Sequence, residues 1–272
     1  MNDGNVVTAV IAATKANSRH TRMSGVFILA GGLLTGCGGS GDVVCGYDAF
    51  GNPIICAPVN AYPVSAPITP VASTLQFPLS QAVMNTISQP FSFQVSSQDA
   101  FGNSYLMSYA STPVQSTFNG APALAATVVQ TVFENGTSLG TTTTTSLYNP
   151  ATSAFLAAND GMPGGNVVAT QTFAVPATAV VGQSFPNFTA NIYHDATQTV
   201  IDGTIAEAVS VNADTATTAL VCFDDTVQLT PAGVADGLSA LPSSTCVRID
   251  AAGNLVGLQV TATVNGGSLT FY

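Results

Sequence analysis

The side chains of this sequence that are best suited to holding a metal ion are carboxylates and one histidine. His194 is the only histidine after residue 20. The aspartates nearest to it in the sequence are Asp195, Asp202, Asp214, Asp224 and Asp225. Calcium takes about six to eight oxygen ligands from carboxylates and carbonyls. The carboxylates of Asp195, Asp224 and Asp225 are the candidates for such a site. No D-x-D-x-D-G loop accompanies them, and solvated turn residues are the alternative. One histidine alone does not build a typical zinc site.

A serine in a glycine-flanked pattern is the candidate nucleophile. Residues 136–140 read G-T-S-L-G, which places Ser138 in the G-x-S-x-G spacing of a nucleophile elbow. Asp160 and His194 follow in the order that a catalytic triad of this kind requires. The elbow needs a strand, a sharp turn and a helix, whereas the threonine run at 141–145 disfavours a helix and an Asn-Gly turn signal precedes the serine. A hydrolase is therefore an alternative function.

Five cysteines divide into one single residue and two local pairs. Cys45 and Cys56 bracket a turn signal, and Cys222 and Cys246 enclose a longer connection. Closing the short first loop contributes roughly 2–3 kcal/mol in the chain-entropy model. A zinc site built from these four cysteines is the competing interpretation, but it lacks any C-x-x-C spacing. We therefore predict two disulfides and a separate role for Cys37.

An apolar segment follows the basic residues near the start of the chain. Residues 24–36 are uncharged and mostly apolar or small, and Lys15, Arg19 and Arg22 precede them. The segment has 13 residues, whereas a spanning helix needs about 20. Basic residues, a short apolar stretch and then small residues are typical of a secretory signal.

The end of this segment resembles the lipobox of bacterial lipoproteins. Leu34-Thr35-Gly36-Cys37 has an apolar residue, two small residues and then cysteine. The resemblance, which covers only the signal, implies cleavage before Cys37 and acylation of its sulfur and new amine. Because residue 38 is Gly rather than Asp, it also implies anchoring at the outer membrane. Several acyl chains, at about 0.8 kcal/mol per methylene, give a durable anchor.

Charge is very unevenly distributed along the chain. Arg248 is the only basic residue after Cys37, against thirteen acidic ones. Such a surface repels phosphate backbones, which excludes nucleic acid as a partner.

The composition changes twice, which predicts three regions. Residues 1–36 are the signal, residues 37–72 form a Gly- and Pro-rich tether carrying the first cysteine pair, and residues 73–272 form the folded domain. One short helix is expected near 80–87. The remaining pattern is short alternating or β-branched runs separated by turn signals, which predicts an all-β antiparallel sandwich or barrel-like meander. The expected strands are 91–96, 127–133, 139–147, 169–174, 187–194, 205–211, 217–223, 246–250, 255–264 and 268–272.

Two sequence echoes suggest internal repetition. The pentapeptide D-A-F-G-N occurs at 48–52 and 99–103, and D-A-A-G-N occurs at 250–254. Asp and Gly at these positions favour a tight turn. A longer similarity between 140–156 and 203–220 suggests two related β lobes with a boundary near 161–166.

These patterns predict a lipoprotein of the cell envelope, anchored at the outer membrane through Cys37 and facing the periplasm or the cell surface. Its β domain would have a non-catalytic structural or binding role, with an envelope protein as a partner and no cofactor. The alternatives are an envelope serine hydrolase that uses Ser138 and His194, and a calcium-dependent adhesion module.

Overall fold

The computed structural model describes residues 9–11, 44–47, 53–55, 69–71, 73–159, 165–238, 240, 243–264 and 267–272. These ranges contain fifteen strands and two short helices. In chain order the elements are β1 (Ala9–Ile11), β2 (Val44–Tyr47), β3 (Pro53–Ile55), α1 (Leu79–Ser88), β4 (Phe91–Gln98), β5 (Ser104–Phe118), β6 (Ala121–Glu134), β7 (Thr137–Tyr148), β8 (Phe155–Asn159), β9 (Asn166–Thr172), β10 (Ser184–Tyr193), β11 (Ile201–Ala213), β12 (Thr218–Leu229), α2 (Pro231–Ala235), β13 (Ser243–Asp250), β14 (Leu255–Val264) and β15 (Gly267–Phe271).

Twelve strands, β4 to β15, form one antiparallel up-and-down sheet in which each strand pairs with the next in the chain. The sheet nearly closes on itself, because Ser96 of β4 and Tyr272 exchange two backbone hydrogen bonds of 3.2 Å each. Outside this meander, β1 pairs in parallel with β14, and β2 and β3 form a separate hairpin. The predicted all-β antiparallel, barrel-like fold is confirmed.

Strand alternation decides which side chains fill the barrel. Along β5, the inward residues Tyr105, Met107 and Tyr109 are buried in the larger of two core clusters. Successive side chains of a strand point to opposite faces, so their neighbours Ser108 and Ala110 belong to the outer face.

Helix α1 lies against one end of the barrel, which we call the base. Its Asn85 donates to the Gly253 carbonyl in the β13–β14 turn at 2.9 Å, and Met84 Sδ accepts from Ser153 in the β7–β8 turn at 3.4 Å. Phe77, just before the helix, pairs with Ala179 between β9 and β10. Three turns at the base therefore hold the helix, and the predicted helix near 80–87 is confirmed.

Two of the three pentapeptide echoes fold as the same turn. In each, one carboxylate oxygen of the leading Asp accepts two backbone N–H groups, and the Asn side chain donates to the other oxygen. Gly102 and Gly253 supply φ values of +87° and +81°, a region that is costly for residues with a Cβ. At Gly253, a Cβ would also lie 2.7 Å from Pro78 Cγ. The copy at 48–52 lies outside the described residues.

Cys222 and Cys246 form a disulfide that joins directly opposite residues of β12 and β13. The Cα atoms of the pair are 3.9 Å apart. The predicted pairing is therefore confirmed. Its closed loop contains α2 and the whole connection between the two strands.

Some predicted boundaries differ from the structure. The segments on either side of 161–166 are parts of one continuous sheet, because β8 and β9 pair directly through Ala157–Val168 and Ala158–Val167. The suggested relationship between the two segments stays a prediction. Strands β5 and β8 were not predicted.

Neither helix in the described ranges has the length and hydropathy needed to cross a bilayer.

We expect deletion of Tyr272 to weaken the closure of the barrel. The deletion removes two backbone hydrogen bonds to Ser96, each with a net contribution of about 1 kcal/mol, so the free energy of unfolding should fall by about 2 kcal/mol. Amide exchange in β4 and β15 should accelerate. The Tyr272→Ala variant keeps both backbone groups and should exchange at close to the native rate. Equal exchange rates in the deletion variant and the native chain would contradict the closure.

Candidate functional site

His194 and Asp202 meet at the end of the barrel opposite the base, which we call the rim. Strand β10 ends at Tyr193 and β11 begins at Ile201, so the intervening turn returns the chain beside its start. The His194 amide donates to the Val200 carbonyl at 3.1 Å, which fixes the first residue of this turn.

The start of α2 is built directly on the Asp202 backbone. The Thr230 amide donates to the Asp202 carbonyl at 2.8 Å, and the Thr230 hydroxyl caps the helix by accepting from the Gly233 N–H at 3.3 Å. Gly233 then packs so closely on Asp202 that any Cβ would overlap the Asp202 carbonyl. Glycine is therefore required here for close approach.

The end of α2 places a second carboxylate beside His194. Asp236 is the C-cap residue, and Gly237 follows with φ +80°. The Gly237 N–H donates to Val234, and the Leu238 N–H donates to Gly233, which is the Schellman arrangement. Leu238 is buried in the smaller core cluster and anchors the turn.

His194, Asp202 and Asp236 form what we call the rim cluster. His194 Nδ1 lies 2.8 Å from Asp236 Oδ2 and 3.6 Å from Asp202 Oδ2. One ligand atom from each residue lies within 4.8 Å of the others. The side chains of His194 and Asp236 are 40% and 28% exposed, whereas that of Asp202 is 0% exposed.

Contacts within the rim cluster shift the pKa values of His194 and Asp202. The hydrogen bond to Asp236, and then its charge, raise the pKa of His194. Burial, followed by the charge of Asp236, raises the pKa of Asp202. One imidazole nitrogen with two carboxylates is a ligand set that divalent transition-metal ions accept.

A second polar group faces the inside of the barrel. Glu207 of β11 and Asp225 of β12 are direct cross-strand partners, and both are buried. Asn187 donates to Glu207 Oε1 at 2.6 Å. Burial, and then the charge of Asp225, raise the pKa of Glu207 well above its ordinary value.

Glu207 lines a cavity between α1 and the barrel wall. The cavity has a volume of about 40 Å³, which is room for a few water molecules. Ser111 and Tyr148 also line it. Within the described part of the chain, Glu207 Oε2 and Ser111 Oγ are buried without a hydrogen-bond partner. Both face a space that can hold a hydrogen-bonding molecule.

The predicted calcium candidates are not brought together by the fold. Adjacent residues of a strand point to opposite faces, so Asp224 lies on the outer face, where Ser210 donates to it, and Asp225 lies inside. Asp195 is an exposed turn residue that accepts from Thr197. The grouping of these three aspartates was wrong.

Asp214, one of the two remaining aspartates of the five, has a partner of its own. It binds Arg248 through two hydrogen bonds of 2.8 and 3.1 Å. Of the five predicted aspartates, only Asp202 joins His194 in a cluster.

Ser138 lies on an exposed strand next to a two-residue hairpin turn. Asn135 and Gly136 have φ values of +49° and +83°, and Ser138 pairs with Phe133 across β6 and β7. The strand–turn–helix of a nucleophile elbow is not formed at this position.

Other predicted residues lie outside the described residues: Cys37, Cys56 and Asp160. The pairing of Cys45 with Cys56 and the lipidation of Cys37 therefore stay predictions.

Two residues of these groups were not singled out from the sequence. Asp236 joins the rim cluster only because α2 folds back on β11, a contact with no local pattern. Glu207 had a weak signal, because a charged residue in an alternating apolar strand marks an inward carboxylate.

Comparison of the chain with family models, curated proteins and solved structures gives no match.

We expect Glu207→Gln to flatten the dependence of stability on pH. A raised carboxyl pKa gives stability that is complete below the ordinary carboxyl range and is lost as pH rises through the raised value. The native chain should therefore melt at a lower temperature at pH 8 than at pH 5. Glutamine keeps the acceptor for Asn187 and carries no charge, so the variant should melt above the native chain at pH 8.

Glu134→Gln is the matched control, because Glu134 is the only other glutamate and lies half-buried at the end of β6. It should not reproduce this change. A Glu207→Gln chain that melts below the native one at pH 8 would show that the ionised pair is stabilising.

Proposed function

We propose that the chain is an exported lipoprotein, anchored at the outer membrane through Cys37, whose barrel is a non-catalytic binding module of the cell envelope. The observation that carries this proposal is the sequence Leu34-Thr35-Gly36-Cys37 after a short apolar segment flanked by basic residues. The acyl chains would supply the attachment, and the barrel would supply a rigid surface.

The Cys222–Cys246 disulfide supports export. Disulfides persist in oxidising compartments such as the periplasm and are rare in the cytosol. The near absence of lysine and arginine after Cys37 also leaves the domain with a strongly acidic surface, which opposes association with nucleic acid.

The point at which the chain enters the barrel supports an orientation with the base towards the lipid anchor and the rim away from it. Val71 forms a bridge with Asp214 just beyond the end of β11, whereas Asp202 lies at the start of the same strand. The anchor would therefore join the barrel at the base, and the rim cluster would lie at the other end. The rim turns are the surface that we propose for contact with an envelope partner.

The geometry around Ser138 supports a non-catalytic role. An exposed hairpin strand does not supply the helix N-terminus and backbone donors that an elbow nucleophile uses. The dispersed positions of Asp195, Asp224 and Asp225 also remove the arrangement on which a calcium-dependent adhesion module would rest.

We expect Cys37→Ser to abolish lipid attachment. In cells grown with radiolabelled palmitate, the native chain should carry the label and sediment with outer membranes, whereas the variant should be unlabelled and keep its signal segment. The double variant Cys222→Ser/Cys246→Ser keeps Cys37 and should remain labelled. Labelling of the Cys37→Ser chain would overturn the anchor assignment.

We expect no serine nucleophile at position 138. A fluorophosphonate probe should not label Ser138, and Ser138→Ala should not change the rate at which the chain hydrolyses p-nitrophenyl acetate. Stoichiometric labelling that disappears in Ser138→Ala would establish a hydrolase instead.

A further inference from the structure

We propose that His194, Asp202 and Asp236 bind one divalent transition-metal ion at the rim, with Zn²⁺ as the probe that tests the site. The proposal does not depend on lipidation of Cys37, because all three ligands belong to the folded barrel.

The first argument is the environment of Asp202. Its side chain is 0% exposed, and neither carboxylate oxygen has a hydrogen-bond partner among the described residues. A buried carboxylate is costly unless it is paired, hydrogen-bonded or bound to a metal. Asp202 Oδ2 lies 3.6 Å from His194 Nδ1, and one ligand atom of Asp202 lies within 4.8 Å of one of Asp236, so this carboxylate faces the position proposed for the ion.

The second argument is the lack of another cation. Arg248 is the only lysine or arginine after Cys37, and its guanidinium donates two hydrogen bonds to Asp214. A protonated His194 would supply one positive charge to two carboxylates. A divalent ion compensates both carboxylates and leaves the imidazole neutral, as a metal ligand requires.

The third argument is the spacing of the ligand atoms. Zinc binds imidazole nitrogen and carboxylate oxygen at about 2.0–2.2 Å, so neighbouring ligands of a tetrahedral site lie about 3.4 Å apart. The distances from His194 Nδ1 to the two carboxylates are 2.8 and 3.6 Å, on either side of that value. Small side-chain rotations would therefore admit an ion, which would take the place of the proton between His194 and Asp236.

The composition of the rim cluster identifies the class of ion. Calcium prefers about six to eight oxygen ligands, and magnesium keeps most of its waters around one or two carboxylates. A neutral imidazole nitrogen with two carboxylates suits zinc and the neighbouring transition metals better. A single histidine gave no zinc site from the sequence, and the proposal relies on Asp202 and Asp236 for the other two ligands.

The exposure of the cluster indicates an open coordination position. Asp202 lies beneath, whereas His194 and Asp236 remain 40% and 28% exposed. Three protein ligands leave the fourth tetrahedral position to water or to a group presented by a partner.

The ligands stand on a supported framework. Thr230 and Gly233 fix α2 on the Asp202 backbone, and Leu238 anchors the turn that carries Asp236. The Cys222–Cys246 disulfide closes the connection that contains α2. A bound ion would join this connection to the β10–β11 turn, which no disulfide within the described ranges links to it.

Calorimetric titration of the full chain with ZnCl₂, after treatment with EDTA and its removal, tests the proposal. We expect one zinc ion per chain. His194→Gln and Asp236→Asn should each weaken binding by at least the roughly tenfold to hundredfold that loss of an outer-shell partner costs. Asp195→Asn is the matched control, because it removes the neighbouring charge and is outside the cluster, so its affinity should stay within about threefold of native.

Asp202→Asn separates a metal ligand from a structural aspartate. It removes a buried charge while keeping the shape of the side chain, so the metal-free variant should melt no lower than the native chain and should lose zinc binding. Unchanged zinc affinity in this variant would overturn the proposal.

Cobalt provides a spectroscopic check that does not depend on small differences in stability. CoCl₂ should give the native chain a visible absorption band of a low-coordinate nitrogen and oxygen site, and His194→Gln should lose it while its circular dichroism stays native. Absence of both zinc binding and the cobalt band in the native chain would overturn the proposal, as would zinc binding that survives in both His194→Gln and Asp236→Asn.

Discussion

Closure of the sheet is the constraint on which the rest of this structure depends. Twelve strands that pair in chain order leave two edges, one on β4 and one on β15. Free edges expose unpaired backbone groups, and the exchange of hydrogen bonds between Ser96 and Tyr272 brings them together. Once the sheet curves into a barrel, each strand has a fixed inner face, and a shift of one residue would move every inward side chain outward. The register therefore determines both the apolar core and the placement of the inward acids.

The scarcity of cations explains how the carboxylates are distributed. Asp214 takes Arg248, the single arginine after Cys37. Asp99 and Asp250 sit at tight turns, where hydrogen bonds from the Asn four residues later, and then from backbone N–H groups, lower the pKa of each. Glu207 has only the hydrogen bond from Asn187, and burial, followed by the charge of Asp225, raises its pKa and so favours the protonated form. Asp202 has no arginine and no turn hydrogen bond, and it shares its one ion-pair neighbour, His194, with Asp236, so an external cation would supply charge that the imidazole cannot give to both carboxylates.

Features that depend on residues close together in the sequence were predicted better than features that depend on distant residues. Strands with alternating residues, the short helix and the Asp-to-Asn turns depend on neighbours a few residues away, and these features were predicted. Strand β5 was missed because Pro113 interrupts its pattern. That proline is tolerated since β4 reaches only Ser111, so the end of β5 pairs on one side. Asp224 and Asp225 were grouped as calcium ligands because they are adjacent in the sequence. Two neighbours on a strand point to different faces, so the fold separates their side chains.

The rim cluster is beyond local prediction for a reason that also bears on its function. Asp236 lies 42 residues from His194 in the chain, and only the packing of Gly233 on the Asp202 backbone makes the two meet. Such packing requires that α2 be held down, and Leu238 and the Thr230 cap supply that restraint from either end of the helix. The five-residue helix α2 covers the buried Asp202 carboxylate, which has no hydrogen-bond partner among the described residues. Burying this charge is unfavourable, yet the backbone around it is firmly held. Supported positions with unsatisfied charge are where proteins bind ligands rather than where they gain stability, and the rim combines both features at the end of the barrel farthest from the point where the chain enters it.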